Sequence, residues 1–371
     1  MNFYVLERKN ATCETVGIVD TYRSVIWNPM YYGQGSFEMT VPATAEYVKI
    51  FQPHRIITRD VDMSPNGTYV KYKSPMVIKE INYSHDDENG AIMVVRGVSL
   101  KSHVLGSRVV TSYTYLNGNA EQSIYSVTKA AFIDTYYRKW QNFVNAPVKG
   151  YTNSTHVTLF GENIAEWMEE TCRQHRFGWD MFLEVKPTNG TSYITFEIYK
   201  GADRTEGSGN TPIIFSKEHD NLIMSELDID YNNYATNCLV AGTEKPDSEE
   251  KWSIVTDYPS ESNRPTGDER YEIYLDSGIG PEDNPQETNY MKVLNNAGLQ
   301  ELAQRKTLSF YAKVIPDGMY KLDKDYFLGD IVEVRTEYGI KAKARIEDIV
   351  YSIDESGTAV VITFGDWEVI E

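Results

Sequence analysis

The residues that could do chemistry here are carboxylates, histidines and cysteines, and their spacing selects no common reaction. Asp228-Ile229-Asp230-Tyr231-Asn232 opens as D-x-D-x-N, the order in which a calcium loop presents its first oxygen ligands. The position that must turn sharply holds Asn233 instead of glycine, and the closing bidentate position holds Leu239. The stretch reads as a strand with exposed acids. His54, His85, His103, His156, His175 and His219 form no H-x-x-x-H pair and have no acidic neighbour at ligand spacing. His175 shares a helical face with Trp167 and Met168 and reads as packed. Cys13, Cys172 and Cys238 are widely separated, without C-x-x-C, so neither a disulfide framework nor a zinc ribbon is indicated. They read as buried thiols of a chain folded in a reducing compartment. No G-x-S-x-G, phosphate loop or dinucleotide fingerprint occurs, and Gly97-Val98-Ser99 lacks the closing glycine of a nucleophile elbow. A glycosidase needs only two acids that face each other in space, and the 54 carboxylates leave that chemistry open without selecting a pair. The reading is of no catalytic, cofactor or metal residues.

Bulk properties narrow the class further. The 371 residues exceed one ordinary core and imply two to three domains. Hydrophobic residues make up 41% and there are 27 tyrosines, which fits a folded, strand-rich protein. A net charge of −18 argues against a surface that grips nucleic acid, because phosphate binding relies on Lys and Arg. It suits a surface that nucleic acid must pass without sticking. Residues 1–7 lack a basic n-region and an apolar h-region, so no secretory signal is expected, and no run reaches transmembrane length.

The elements that must position any site are mostly strands. From Phe3 to Gly97 short alternating runs are separated by Asn28-Pro29, Gly33-Gln34-Gly35, Pro53 and Pro65-Asn66-Gly67, the pattern of a barrel or sandwich. Ala43–Ile50 could form one short helix. The period changes after about Leu105. Asn119 with Gln122 three residues on has the shape of a capping box and opens a helix over 120–138. A second helix runs from about Asn163 to Arg176, with Gly178 placed to end it. Trp179–Val185 and Tyr193–Tyr199 flank a Pro187-Thr188-Asn189-Gly190 turn and read as a hairpin. Residues 1–105 are thus a first β-barrel domain, 106–205 an α+β insertion, and 206–371 a second β-barrel domain. Within the last, 243–290 reads as a long acidic excursion with strands only at Trp252–Val255 and Tyr271–Leu275. Leu299–Lys306 reads as a short helix.

The chain repeats one hairpin. MVIKEINYSHDDENGAIMVVRG (76–97) is echoed by ARIEDIVYSIDESGTAVVITFG (344–365). Ile78 matches Ile346, Ile81 matches Ile349 and Tyr83 matches Tyr351. Asp86 then matches Asp354, Gly90 matches Gly357 and Gly97 matches Gly365, with one gap in the turn and one in the second strand. Phe51–Ile57 and Phe327–Val332 extend the match upstream. An internal duplication follows, with the paired residues expected at equivalent positions of superposable barrels.

The order of these stretches resembles a known family. FYVLER (3–8), GIVDTYRSVIWNPMYYGQGSFEMTVP (17–42), Asn221-Leu222, Asn237–Gly242 and LGDIVEVRTEYGIKAKARIEDIVYS (328–352) resemble siphovirus tail proteins of the gp37-like hub family. The resemblance covers essentially the whole chain but is loose over 243–290, where only Arg270–Asp276 matches. It implies a mainly β fold of tail-hub architecture and a structural, non-enzymatic protein of a phage or prophage tail. That protein would be a homotrimeric ring at the virion tail tip, assembled in the bacterial host cytoplasm. Two related barrels per subunit would present six copies to the sixfold tube, with the insertion on the periphery. The implied partners are other copies of the chain, the distal tail protein or tail tube, the tape-measure protein and a downstream fibre or spike. Specific nucleic-acid binding and stable membrane insertion are not implied. Two other readings stay open. One is a tail-associated cell-wall or glycan hydrolase. The other is a host-surface binding module using exposed aromatics such as Tyr113, Tyr115 and Tyr151.

Overall fold

The computed structural model describes residues 2–63, 67–87, 90–257, 264–281, 287–305, 307–315 and 318–370. The turn positions Pro65, Asn66, Glu88 and Asn89, parts of the 243–290 segment and Lys306 lie outside the described residues. The fold is mainly β, 47% strand against 18% helix.

The first third supplies β1 (Phe3–Lys9), β2 (Thr12–Val19), β3 (Ser24–Asn28), β4 (Ser36–Pro42), β5 (Ile56–Thr58), β6 (Asp60–Met63), β7 (Val70–Lys73), β8 (Met76–Asp86) and β9 (Gly90–Ser99). Helix α1 (Ala45–Ile50) follows β4, and α2 (Leu100–Leu105) follows β9. The middle supplies β10 (Thr114–Asn119), α3 (Ala120–Lys129), β11 (Phe143–Asn145), β12 (Ser154–Leu159), α4 (Ile164–His175), β13 (Gly178–Val185) and β14 (Ser192–Tyr199). The rest supplies β15 (Ile214–Ser216), β16 (Leu222–Ile229), β17 (Asn237–Glu244), β18 (Lys251–Asp257), β19 (Glu272–Asp276), α5 (Glu287–Ala303), β20 (Leu308–Val314), β21 (Ile331–Arg335), β22 (Lys341–Asp354) and β23 (Gly357–Val369).

One 13-stranded sheet dominates, in the order β16-β20-β23-β22-β3-β4-β9-β8-β5-β1-β2, with β21 and β15 joined beside β22. The expected pair of closed barrels is absent among the described residues. Instead of curling shut, the two β regions share a rung: β22 lies antiparallel on β3 through Tyr351–Trp27, Ser352–Ile26 and Ile353–Val25. Pairing there occupies edges that closure would need. On one face alternate side chains enter two cores. One holds Phe3, Val25, Trp27, Met39, Ile78 and Val95; the other holds Phe215, Phe310, Val332, Ile346 and Phe364. Tyr351 packs against both.

Helices α3 and α4 of the middle segment pack into a core that also takes in Leu6, Ile56, Val77, Leu100 and Val104 of the first third. Asn119 Oδ1 accepts the Gln122 N–H at 2.9 Å, so the expected cap forms, and Asn163 Oδ1 likewise caps α4 by accepting the Ala165 N–H at 2.9 Å. The first helix ends sooner than expected, in a π turn over Ala130–Asp134, after which Thr135 is extended. Arg176 (φ 56°), and not Gly178, takes the left-handed position that closes α4, and Gly178 opens β13. The five-stranded sheet β11-β14-β13-β7-β6 draws β6 and β7 from before residue 105.

The described residues of 243–290 include two strands and the start of a helix. β17 is flanked by antiparallel β18 and parallel β19, and Tyr290 and Leu294 of α5 pack with Cys238 and Val240 beneath them. Helix α5 begins well before Leu299, because Tyr290, Val293 and Leu294 form a buried stripe at helical spacing within a polar run.

Candidate functional site: one face and two edges of the long sheet

The two echoed hairpins carry the same ladder. Ile78 pairs with Gly97, Lys79 is bulged out, and then Glu80–Arg96, Ile81–Val95, Tyr83–Met93 and Asp86–Gly90 follow. Ile346 pairs with Phe364, Glu347 is bulged out, and Asp348–Thr363, Ile349–Ile362, Tyr351–Val360 and Asp354–Gly357 follow. Gly97 therefore sits on the rung of Phe364, while Gly365 faces Arg345, one rung away. The gap placed in the second strand is not needed; the turn alone differs in length. Gly90 (φ 67°) and Gly357 (φ 123°) both hold backbone angles open to glycine. Upstream, His54 N–H donates to the Ile78 carbonyl and Gly329 N–H to the Ile346 carbonyl, at 2.9 and 2.8 Å, and both donors have positive φ (69° and 93°).

Ile78, Ile346 and Ile349 are buried and Ile81 is half-buried. Tyr83 is 55% exposed, whereas Tyr351 is half-buried with the Arg59 guanidinium 4.8 Å from its ring centroid. The hairpins are not brought together, since β3, β4 and β9 lie between β22 and β8.

The face away from the cores mixes apolar residues such as Ile26, Val94, Val350 and Val361 with an excess of acids. Alternation places Glu38, Glu80, Glu226, Asp228 and Asp348 there, against Arg96 and Lys313. Arg96 pairs with Glu38 at 2.5 Å and Glu80 at 3.5 Å, and the acids named outnumber the cations. Asp228 and Asp230, from the calcium-like stretch, lie at the end of β16, where Asp230 Oδ1 accepts the Asn232 N–H at 2.7 Å. Among the described residues no group of three or more His, Cys, Asp or Glu is placed to hold a metal.

Besides β2 and β15, two stretches of the long sheet keep an open edge among the described residues. β16 pairs only with β20, and β8 beyond Ile78 pairs only with β9 among the described residues. β16 also exposes Ile223, Met224 and Ile229 by more than half.

A buried polar knot joins the three segments behind this sheet. Asp366 accepts from Arg345 Nε at 2.8 Å and from Tyr32 Oη at 2.5 Å. Arg345 also donates to the Gly329 carbonyl at 2.8 Å, and Trp179 Nε1 donates to the Tyr32 carbonyl at 2.5 Å. Tyr31 Oη reaches the Tyr199 carbonyl at 3.1 Å. Burial alone would raise the Asp366 carboxyl, but the Tyr32 hydroxyl and Arg345 guanidinium hold it below its ordinary value. Burial and the neighbouring Asp366 push the Tyr32 hydroxyl far up.

Beside the knot lies a cleft of about 530 Å³, lined by Arg59, Asp180, Glu197, Asp323 and Tyr351 among others. Burial pushes Asp180 up, while Asp323 pairs with Arg59 at 2.8 Å and Glu197 with Lys149 at 3.3 Å. All three thiols are buried, and desolvation pushes Cys13 up to about 12 and Cys238 to about 11. His175 is buried beside Phe177, and burial lowers it to about 4. Tyr113 is exposed and stacks on Phe160 at 4.2 Å, whereas Tyr151 packs on Phe177. No helix among the described residues is long and apolar enough to cross a membrane.

This plan is that of phage tail proteins. The fold matches the tail protein from Neisseria meningitidis MC58 with TM-score 0.55 and 12% identity, over 99% of this chain and 96% of that one. It matches the 43 kDa tail protein of prophage MuSo2 from Shewanella oneidensis with TM-score 0.55 and 12% identity, over 98% of each chain. Prophage tail protein gp18 from Listeria monocytogenes EGD-e gives TM-score 0.52 and 14% identity, over 98% and 94%. No curated protein matches in sequence. The chain belongs to the Siphovirus ReqiPepy6 Gp37-like family, whose model matches residues 3–366.

Proposed function

We propose that the chain is the hub of a phage tail tip or baseplate. In this reading it forms a homotrimeric ring that joins the tail tube to the tip and lets the genome pass. The observation that carries this is strand order. β3-β4-β9-β8 and β16-β20-β23-β22 are two four-stranded units with the same all-antiparallel succession, the same bulge before the same turn, and one shared edge. We read them as copies of one ancestral unit, one from 1–105 and one from 206–371, with 106–205 an insertion between them. Ile78/Ile346, Ile81/Ile349, Tyr83/Tyr351 and Gly90/Gly357 are the equivalent pairs. Three such chains supply six units, which lets a threefold ring meet a sixfold tube without a mismatch of symmetry.

The acidic face would line the lumen, where it repels phosphate and keeps DNA from adhering. The partners are then the distal tail protein or tube, the tape-measure protein and a fibre or spike below. The role is structural, at the virion tail tip after assembly in the host cytoplasm. Light scattering after size exclusion is expected to give a trimer mass. A strict monomer at every concentration refutes the hub.

A further inference from the structure

The open edges of β8 and β16 are the unmatched halves of a junction that the chain already makes once. Inside the chain, β22 of one unit lies on β3 of the other. By strand order the counterpart of β22 is β8, and the counterpart of β3 is β16. Both have a free edge at these positions, as β2 and β15 also do elsewhere on the sheet among the described residues. The register transfers rung by rung. Trp27 pairs with Phe37, Phe37 with Gly97, and Gly97 with Ile78. Leu227 pairs with Phe310, Phe310 with Phe364, and Phe364 with Ile346. Leu227 thus holds the place of Trp27, Glu226 that of Ile26 and Ser225 that of Val25.

We infer that the distal half of β8 in one copy pairs antiparallel with β16 of the next, so that Tyr83 meets Leu227, Ser84 meets Glu226 and His85 meets Ser225. This rests on the duplicated-hub reading and adds the strands and the register. Exposure agrees with it. Tyr351 is half-buried because the other unit lies beside it, while Tyr83 on the same rung is 55% exposed. β16 presents exposed Ile223, Met224 and Ile229 and carries no Pro, while its Glu226 and Asp228 set charge on the outward face. Because the two edges differ, the contact runs head to tail, which is how a ring closes.

The internal junction also identifies the rung to test. Met30–Asp348 is flanked by Tyr31 N–H to Glu347 carbonyl (2.8 Å) and Ile349 N–H to Pro29 carbonyl (3.3 Å), the pattern of a non-hydrogen-bonded pair. Alternation makes Ile26–Ser352 another. Its counterpart, Ser84–Glu226, then has Cα atoms about 4.5 Å apart, within disulfide range. The double variant S84C/E226C, oxidised as the full chain, is expected to run as covalent trimer on a non-reducing gel. Mixing the S84C and E226C single variants is expected to give covalent dimer and nothing larger, while each single variant alone gives none. The shifted pair S84C/D228C is expected to link far less. A trimer mass without the Ser84–Glu226 link, or preferential linking through Asp228, overturns the register and leaves the ring standing. A monomer that never links overturns both.

Discussion

Asp366→Asn isolates the charge in the knot that holds the three segments together. Asp366 has φ 48°, a left-handed conformation that Asn adopts as readily, so the substitution adds no backbone strain. Asn can still accept from the Tyr32 hydroxyl. What disappears is the negative charge 2.8 Å from Arg345, whose side chain is only 6% exposed. Removing one member of a buried pair costs about 3–5 kcal/mol, and the 22% exposure of Asp366 places it near about 3 kcal/mol. The pH dependence has a definite sign. Asp366 lies below its ordinary value of 3.8 in the folded chain, so its contribution is complete above that value and is lost as pH falls through the lower folded value. Urea denaturation followed by tryptophan fluorescence, run from pH 7 to pH 3, should show a deficit in D366N that is constant at neutral pH and shrinks in acid. The double variant R345M/D366N should recover to within about 1–2 kcal/mol of the wild type, since no unpaired charge remains. A D366N deficit below about 1 kcal/mol, or one unchanged at pH 3, refutes the assignment of the knot as a charge-stabilised joint.

Gly97→Ala should cost about 3 kcal/mol or more, because a Cβ there meets the Val77 backbone and lies 2.6 Å from Phe37 Cε1. Gly365→Ala meets only the Glu347 carboxylate tip and should cost about 1–2 kcal/mol, so denaturation midpoints that rank the two in reverse refute the rung assignment. His54→Gly should raise stability by about 0.5–1 kcal/mol, the share of the left-handed penalty left after the extra unfolded-state freedom of glycine. Gly329→Ala, at φ 93° and with its Cβ driven against the Tyr31 ring, should destabilise; matching effects at the two sites, read by thermal melts, count against their equivalence.

What could be read from the chain beforehand was local. Alternation marked the hairpins, and Asn119 and Asn163 marked the helix starts, because each signal lies within a few residues. The bulge was legible too, though unread: Ile78 and Ile81 are three apart, as are Ile346 and Ile349, and both members can face the core only if one residue between them leaves the ladder. Helix α5 was hidden by Thr288, Asn289, Asn295 and Asn296, whose local preferences mask the stripe of Tyr290, Val293 and Leu294. The β17–β19 parallel pairing and the β22–β3 rung leave no local trace, since each depends on residues far apart in sequence. The knot was invisible for the same reason, as Tyr32 and Asp366 stand at opposite ends of the chain.

The places where the two units differ fit the different jobs of their edges. The internal junction forms within one chain, at an effective concentration fixed by covalent connection, so it can be fully committed. Trp27 is 1% exposed there, packed against Phe3 and Phe37 and beneath Tyr351. The open edge has Leu227 at that place and acids at 226 and 228, a smaller apolar contact with like charges on the outward face. Such an edge buries less and repels its own kind, which keeps a newly made subunit from pairing indiscriminately. Ring closure then relies on three such contacts forming together. Replacing Leu227 with Trp should therefore strengthen self-association at low concentration without changing the fold of the monomer.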